Sequence, residues 1–183
     1  MKKTVFGFVL ALGIMAALSS CSTTYKMVVD QNVPANQSTI VTFESDTKSG
    51  LFRKTAEGVL LQVREHNDRN ILDDLYGSKE LWSNDKTILT VPAGNNRFLF
   101  DASFMFEVEL MYRVEVHTQK VPSIEIRYDL EPGKKYRISG TTKRTKFNLL
   151  GMDNYDLYVG IYDVTGKKTL LKEWKVGEFV GPW

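Results

Sequence analysis

The sequence predicts an all-β protein, an antiparallel β-sandwich with at most one short helix. Apolar residues recur with a period of two along most of the chain, which is typical of half-buried strands. Turn-forming Pro and Gly residues separate these stretches, and helical periodicity is confined to one short segment. A small β-barrel would produce the same alternation and is the alternative architecture.

The clearest strand pattern lies near the middle of the chain, where apolar side chains alternate with charged ones from Ile124 to Leu130. A phenylalanine-rich stripe runs from Phe98 to Phe106 on one predicted face. The same alternation predicts strands at 59–63, 112–116 and 157–161. Segments rich in strand-favouring residue types add the candidates 25–29, 39–43, 87–91, 136–139 and 169–176.

Turns and a short helix fit between these strands. Glu131-Pro132-Gly133-Lys134 suits a type II turn, because Pro132 sets a negative φ and Gly133 tolerates a positive one. Segments 92–96 and 165–167 are further predicted turns. Asn70 is the expected cap of a helix of one or two turns that ends at Gly77.

The amino terminus has the composition of a secretory signal. Lys2 and Lys3 precede an uncharged apolar run, Val5 to Leu18, that ends in small residues. A membrane-spanning helix needs roughly 20 apolar residues, and this run is shorter. We therefore expect residues 1–20 to be a signal peptide that is removed.

Leu18-Ser19-Ser20-Cys21 resembles the lipobox of bacterial lipoproteins. The resemblance implies that the Cys21 thiol receives a diacylglyceryl group carrying acyl chains such as palmitate. It also implies cleavage between Ser20 and Cys21 and acylation of the new amino terminus. The alternative is an ordinary secretory signal that ends near a free cysteine.

The lipobox resemblance implies that the protein is attached through the lipid on Cys21 to a membrane of the bacterial cell envelope. In the common sorting rule of such lipoproteins, Ser22 does not argue for retention in the inner membrane, which favours the outer membrane. The predicted organisation is a lipidated amino terminus and tether over 21–38, followed by one β-sandwich domain over 39–183.

Charge and cysteine content exclude several classes of function. Lys2 and Lys3 account for the whole net charge of +2, so the remaining chain is neutral and gives no electrostatic case for nucleic acid. Cys21 is the single cysteine, so we expect no disulfide and no thiol chemistry beyond the anchor.

A second, looser resemblance involves two turn segments. Val91-Pro92-Ala93-Gly94 and the stretch from Leu130 to Tyr136 resemble paired hairpins of small, uncharacterised bacterial lipoproteins with immunoglobulin-like or transthyretin-like domains. This resemblance implies a β domain and no particular activity.

A search for catalytic residues predicts none, and no metal or other cofactor. His66 in a polar loop and His117 at a strand end are interpreted as surface residues without a base's partners. Asp73-Asp74 is explained by a helix start and Asp153 to Asp156 by a polar turn, and neither has the spacing of a calcium loop.

Two features remain as possible interaction sites. Lys143, Arg144 and Lys146 form the densest basic patch, which is either a solvated loop or a contact for lipid phosphates or an anionic glycan. Trp183 ends a tail too rich in Gly and Pro for regular structure. This tail either packs back on the domain or presents Trp183 to a partner.

The sequence thus predicts a lipid-anchored envelope protein whose non-enzymatic domain acts through protein or glycan contacts, or as a structural part of the envelope. Its contact residues are expected in loops, at 65–86, 118–122 and 141–154. The alternatives are a hydrolase of an envelope polymer, which needs carboxylates converging in a cleft, and a small-ligand carrier, which needs an open cavity.

Overall fold

The computed structural model describes residues 22–45, 57–82, 85–110, 113–146 and 152–182. These residues form two packed β-sheets and one short α-helix, which confirms the predicted fold class. The strand order is β1-β5-β2-β8-β9-β10 in the larger sheet and β4-β3-β6-β7 in the smaller one. The described strands form these two sheets rather than a closed barrel.

The elements, in chain order, are β1 Thr24–Val28, a 3₁₀ turn Ala35–Gln37, β2 Ser38–Glu44, β3 Glu57–His66, β4 Arg69–Asn70, α1 Leu72–Tyr76, β5 Lys86–Pro92, β6 Gly94–Leu110, β7 Arg113–Leu130, β8 Lys135–Lys146, β9 Met152–Asp163 and β10 Thr169–Pro182. Two strand pairs, β1 with β5 and β2 with β8, are parallel. The other pairs are antiparallel, as alternation with intervening turns predicts.

The core lies between the two sheets. Phe43 of β2 makes edge-to-face contacts with Phe98 and Phe100 of β6, at ring-centroid distances of 5.5 and 5.7 Å. The predicted phenylalanine stripe is therefore the inner face of the smaller sheet, and Phe104 is as fully buried as its neighbours. Leu157, Val159 and Ile161 of β9 complete the core from the larger sheet.

The described part of the predicted strand at 112–116, from Arg113 onward, and the predicted strand at 124–130 belong to a single strand, β7. A register shift opposite Phe100 and Ala102 accommodates the interruption, and Ser123 takes a φ of 57° there. Pro122 has no N–H to donate, and it is tolerated because β7 is an edge strand. Residues 118–122 were predicted as a loop, and that prediction is wrong.

Helix α1 and the predicted turns follow the local sequence signals. The N-cap position is Ile71 rather than the predicted Asn70, although the side chain of Asn70 accepts a hydrogen bond from the Leu72 N–H at 3.0 Å. Gly77 follows the helix with a φ of 57°, at the predicted end. Gly133 has a φ of 72°, as a type II turn requires at that position.

The amino-terminal segment 21–38, predicted as a tether, contains β1 and the 3₁₀ turn. The candidate strand at 25–29 is present as β1, an edge strand of the larger sheet. Only Ser22 and Thr23 separate Cys21 from this strand.

The described part of the carboxy-terminal tail, residues 177–182, belongs to strand β10, although the sequence predicted no regular structure there. Strand β10 pairs with β9 up to Pro182, with register shifts after Leu170 and Lys175 that absorb the irregular sequence. Phe179 stacks on Phe106 of the opposite sheet at 4.2 Å between ring centroids. The tail thus packs on the domain as far as the described residues extend.

Candidate functional site

One candidate site is the corner of the domain at which the chain enters β1, separated from Cys21 by two residues. The Thr23 N–H donates to the Asp85 carboxylate at 2.8 Å, and the Thr23 carbonyl accepts from the Lys86 N–H at 2.9 Å. The other Asp85 oxygen accepts from the Trp82 N–H at 2.8 Å. Asp85 is buried and thereby fixes both chain segments at one point. We call Thr23, Trp82 and Asp85 the amino-terminal corner.

The register of the strands places several predicted site residues toward the end of the larger sheet that contains the amino-terminal corner. Thr24 lies beside Lys86, and Lys86 beside Glu44 at the end of β2. Strand β8 runs parallel to β2 and continues beyond the pairing of Phe43 with Ile138. Its last residues, with the paired parts of β9 and β10, therefore project past the level of Thr24 by roughly 20 Å.

The basic residues Lys143, Arg144 and Lys146 lie in this projecting part of β8, and the prediction of a loop there is wrong. All three are exposed. The Lys143 ammonium forms an ion pair with Glu173 of β10 and lies 4.1 Å from the centre of the Tyr158 ring. The segment is basic in sequence, but Lys143 already has an acidic partner in the fold.

A group of half-buried aromatic residues covers the outer face beside Lys143. Tyr158 and Tyr162 of β9 flank Gly160, and Lys168 lies 4.4 Å from the centre of the Tyr162 ring. A Cβ on Gly160 would come within 3.0 Å of the Tyr162 ring, so the glycine gives this ring its space. We call Lys143, Asp156, Tyr158, Tyr162 and Lys175 the tyrosine face.

Each charged side chain of the tyrosine face is paired with a side chain of opposite charge. The Lys175 ammonium lies 2.8 Å from Asp156 and 2.7 Å from Glu178, and these bonds raise the pKa of Lys175. The bond from Lys175 lowers the pKa of Asp156, which also accepts a hydrogen bond from the Tyr158 hydroxyl at 3.1 Å. Both groups are ionised at neutral pH. This geometry suits recognition of a polar partner better than proton transfer.

His66 is buried at the end of β3, so its interpretation as a solvated loop residue is wrong. The Asn96 side-chain amide donates to the carbonyls of Pro92 and Gly94, so its oxygen accepts from His66 Nε2 at 2.6 Å. Burial lowers the pKa of His66. The imidazole is a neutral structural group. His117 lies within β7 rather than at a strand end.

The acidic pairs considered for metal binding have other roles. Asp73 and Asp74 lie in the first turn of α1, and Asp74 pairs with Arg69 at 3.1 Å. The segment 153–156, predicted as a polar turn, is part of β9. Within the described ranges, no three acidic, His or Cys residues form a group suited to a metal ion.

Three predicted site residues, Ser20, Cys21 and Trp183, lie outside the described residues. The described residues of the predicted contact segment 65–86 include the end of β3, the short strand β4, helix α1 and the first residue of β5. Of the helices in the described part of the chain, none has the length and apolar character needed to cross a membrane.

Comparison with the models of known protein families, with characterised proteins and with solved structures finds no match to this chain.

The sequence prediction missed the tyrosine face as a unit. The alternation that buries Leu157, Val159 and Ile161 also places Tyr158 and Tyr162 outward, so the signal for the two rings was present. The pairing of β8 and β10 on either side of β9 was not predictable from alternation, and it brings Lys143 and Lys175 to these rings.

Proposed function

We propose that this protein is a lipid-anchored lipoprotein of the bacterial cell envelope, held in the outer membrane, whose two-sheet domain binds an envelope protein or glycan without catalysing a reaction. The proposal is supported by the resemblance of Leu18-Ser19-Ser20-Cys21 to a lipobox, followed after two residues by the first strand of the domain. The proposed signal peptide ends just before the single cysteine, and the first strand begins three residues after it.

Acylation of Cys21 is sufficient to hold the domain on a membrane. Each buried methylene contributes about 0.8 kcal/mol, so a single chain binds reversibly while two or three chains hold a protein stably. The neutral charge of the rest of the chain is consistent with attachment by acyl chains rather than by electrostatic attraction.

The tyrosine face is the surface that best supports a binding role. Tyr158 and Tyr162 present apolar ring area with a polar tip, a combination enriched at contact surfaces. Lys143 and Lys175 lie beside the rings and are held by acidic partners, so little side-chain freedom is lost on binding.

The packing of the core argues against a small-ligand carrier, and the pKa shifts of acidic residues argue against a glycoside hydrolase. Phe43, Phe98 and Phe100 fill the space between the sheets that a carrier would need for a ligand. Hydrogen bonds from Arg127 and Arg97 lower the pKa of Glu125, and Lys175 lowers that of Asp156. The described carboxylates whose pKa is shifted, Glu125, Asp156 and Asp163, are all shifted downward, whereas a general acid for glycoside hydrolysis needs a raised pKa.

Labelling of cells with a fatty-acid analogue tests the anchor. The wild-type protein should carry the label, whereas Cys21→Ala should not, because it lacks the thiol that accepts the lipid. Label on both proteins would contradict attachment at Cys21.

Photo-crosslinking in intact cells tests the binding surface. A photoreactive phenylalanine in place of Tyr158 should form an adduct with an envelope component. The same group in place of Arg127, which is 66% exposed on the outer face of the other sheet, should form none. Equal adducts at both positions, or none at Tyr158, would contradict the assignment to the tyrosine face.

A further inference from the structure

Trp82 is the most exposed large apolar side chain among the described residues, with 68% of its surface accessible. A single exposed apolar residue is common on protein surfaces and needs no special explanation. The position of Trp82 distinguishes it, because it belongs to the amino-terminal corner that directly follows Cys21.

The backbone of Trp82 is held at both of its polar groups. Its N–H donates to the Asp85 carboxylate at 2.8 Å, and its carbonyl accepts from the Asp85 N–H at 2.9 Å. The same carboxylate accepts the Thr23 N–H, so the backbone nitrogens of Trp82 and Thr23 lie within about 8 Å of each other. The position of the exposed indole is thus coupled to the start of the domain.

The short length of chain between Cys21 and Thr23 keeps Cys21 close to the amino-terminal corner. Two peptide units join Cys21 to Thr23 and span at most about 7 Å. Thr23 is itself fixed, because its carbonyl accepts the Lys86 N–H and β1 pairs with β5 over five residues. An acylated Cys21 therefore brings the bilayer surface to within a few residue lengths of Trp82.

We propose that Trp82 contacts the phospholipid bilayer, with its indole in the interfacial region beside the acylated Cys21. This inference rests on the proposed lipid anchor. Tryptophan is enriched at membrane–water interfaces because its ring is apolar and its N–H keeps a polar partner. The contact adds a second point of attachment and so restricts rotation of the domain about its lipid.

Fluorescence quenching in vesicles tests the contact. The chain from Cys21 onward, which contains all the described residues, is coupled through its single thiol to a maleimide-bearing phospholipid in phosphatidylethanolamine–phosphatidylglycerol vesicles. Trp174→Phe with Trp183→Phe leaves Trp82 as the only indole. Its emission should shift to the blue on attachment and lose intensity when the acyl chains carry bromine near the headgroup.

The matched control protein carries Trp82→Phe with Trp183→Phe and retains Trp174, which packs against the core on the opposite edge strand. Its emission should not respond to attachment or to bromine. If Trp174→Phe does not fold, the difference between the wild type and Trp82→Phe alone provides the same readout.

The outcomes separate the contact from the anchor. Quenching of Trp82 together with fatty-acid labelling of Cys21 in cells supports both. Labelling in cells, with Trp82 emission in vesicles equal to that of the unattached protein, overturns the contact alone. Absence of labelling in cells overturns the anchor and the contact that depends on it, whatever the vesicles show.

Discussion

Gly140 is a residue at which the two sheets approach closely. It is buried on β8, and a Cβ added there would lie 2.9 Å from the Cβ of Val59 on β3. Both atoms are attached directly to backbone, so neither can move aside by rotating a side chain. The absence of a side chain at this position sets the local distance between the sheets.

Gly140→Ala should therefore lower the free energy of unfolding by about 1–3 kcal/mol, the usual effect of overpacking a core. Urea unfolding of the purified protein measures this loss. Gly166→Ala is the matched control, since no atom lies within 4 Å of its added Cβ and it should leave stability nearly unchanged. Equal stability of the two variants would contradict the close approach at Gly140.

Protonation of buried His66 should make stability depend on pH. Burial lowers the pKa of His66 from its ordinary value of 6.5, so the unfolded chain takes up a proton at a pH where the folded chain does not. Stability should fall as the pH drops below about 6.5, until the lowered folded-state pKa is reached.

His66→Gln keeps an N–H donor for Asn96 and removes the titration. Urea unfolding between pH 7 and pH 5 should show a smaller loss of stability for this variant than for the wild type. The same slope in both proteins would show that the imidazole does not contribute.

His66 also shows why local sequence gave an incomplete picture of this residue. Its polar neighbours indicated a loop, but Asn67 and Asp68 both take positive φ values and form a tight turn directly after it. The strand therefore extends to His66, and the buried partner Asn96 comes from a different part of the chain. A partner so distant in sequence leaves no local signal.

Strand β10 is held in part by a contact between the two sheets. It is an edge strand with two register shifts, and Phe179 joins it to Phe106 across the core. The sequence predicted a strand only to Val176, because Gly177, Gly181 and Pro182 weaken strand propensity. Tertiary packing of Phe179 outweighs that local preference.

Phe179→Ala should destabilise the protein by about 2 kcal/mol, less than for a fully buried phenylalanine because Phe179 is only half-buried. Amide hydrogen exchange should also speed up in β10 beyond Lys175. The neighbouring Val180→Ala should change stability by less than about 0.5 kcal/mol, because Val180 is 58% exposed. A similar loss in both variants would contradict the role of the aromatic contact.

Alternation and turn chemistry were sufficient to predict most strands of this molecule, since both depend on residues adjacent in sequence. Strand order was not predictable in the same way. The parallel pairing of β2 with β8 joins residues that are far apart in the chain, as Phe43 and Ile138 show. The tyrosine face instead lies on the consecutive strands β8, β9 and β10, and it depends on their antiparallel pairing.

On the scale of the whole molecule, the first residue of β1 and the projecting ends of β8, β9 and β10 lie toward the same end of the larger sheet. An anchored domain would therefore hold the β1 edge of the larger sheet close to the bilayer, because only two residues separate Cys21 from β1. The short connection makes the orientation of the domain a property of its fold rather than of a flexible linker.

The most direct test of this account is the mass of the amino-terminal peptide of the protein isolated from its own membranes. The account predicts a mature chain that begins at Cys21 and carries a diacylglyceryl group on the thiol and an acyl chain on the amino group. A chain that begins at another residue, or that begins at Cys21 with an unmodified thiol, would contradict it.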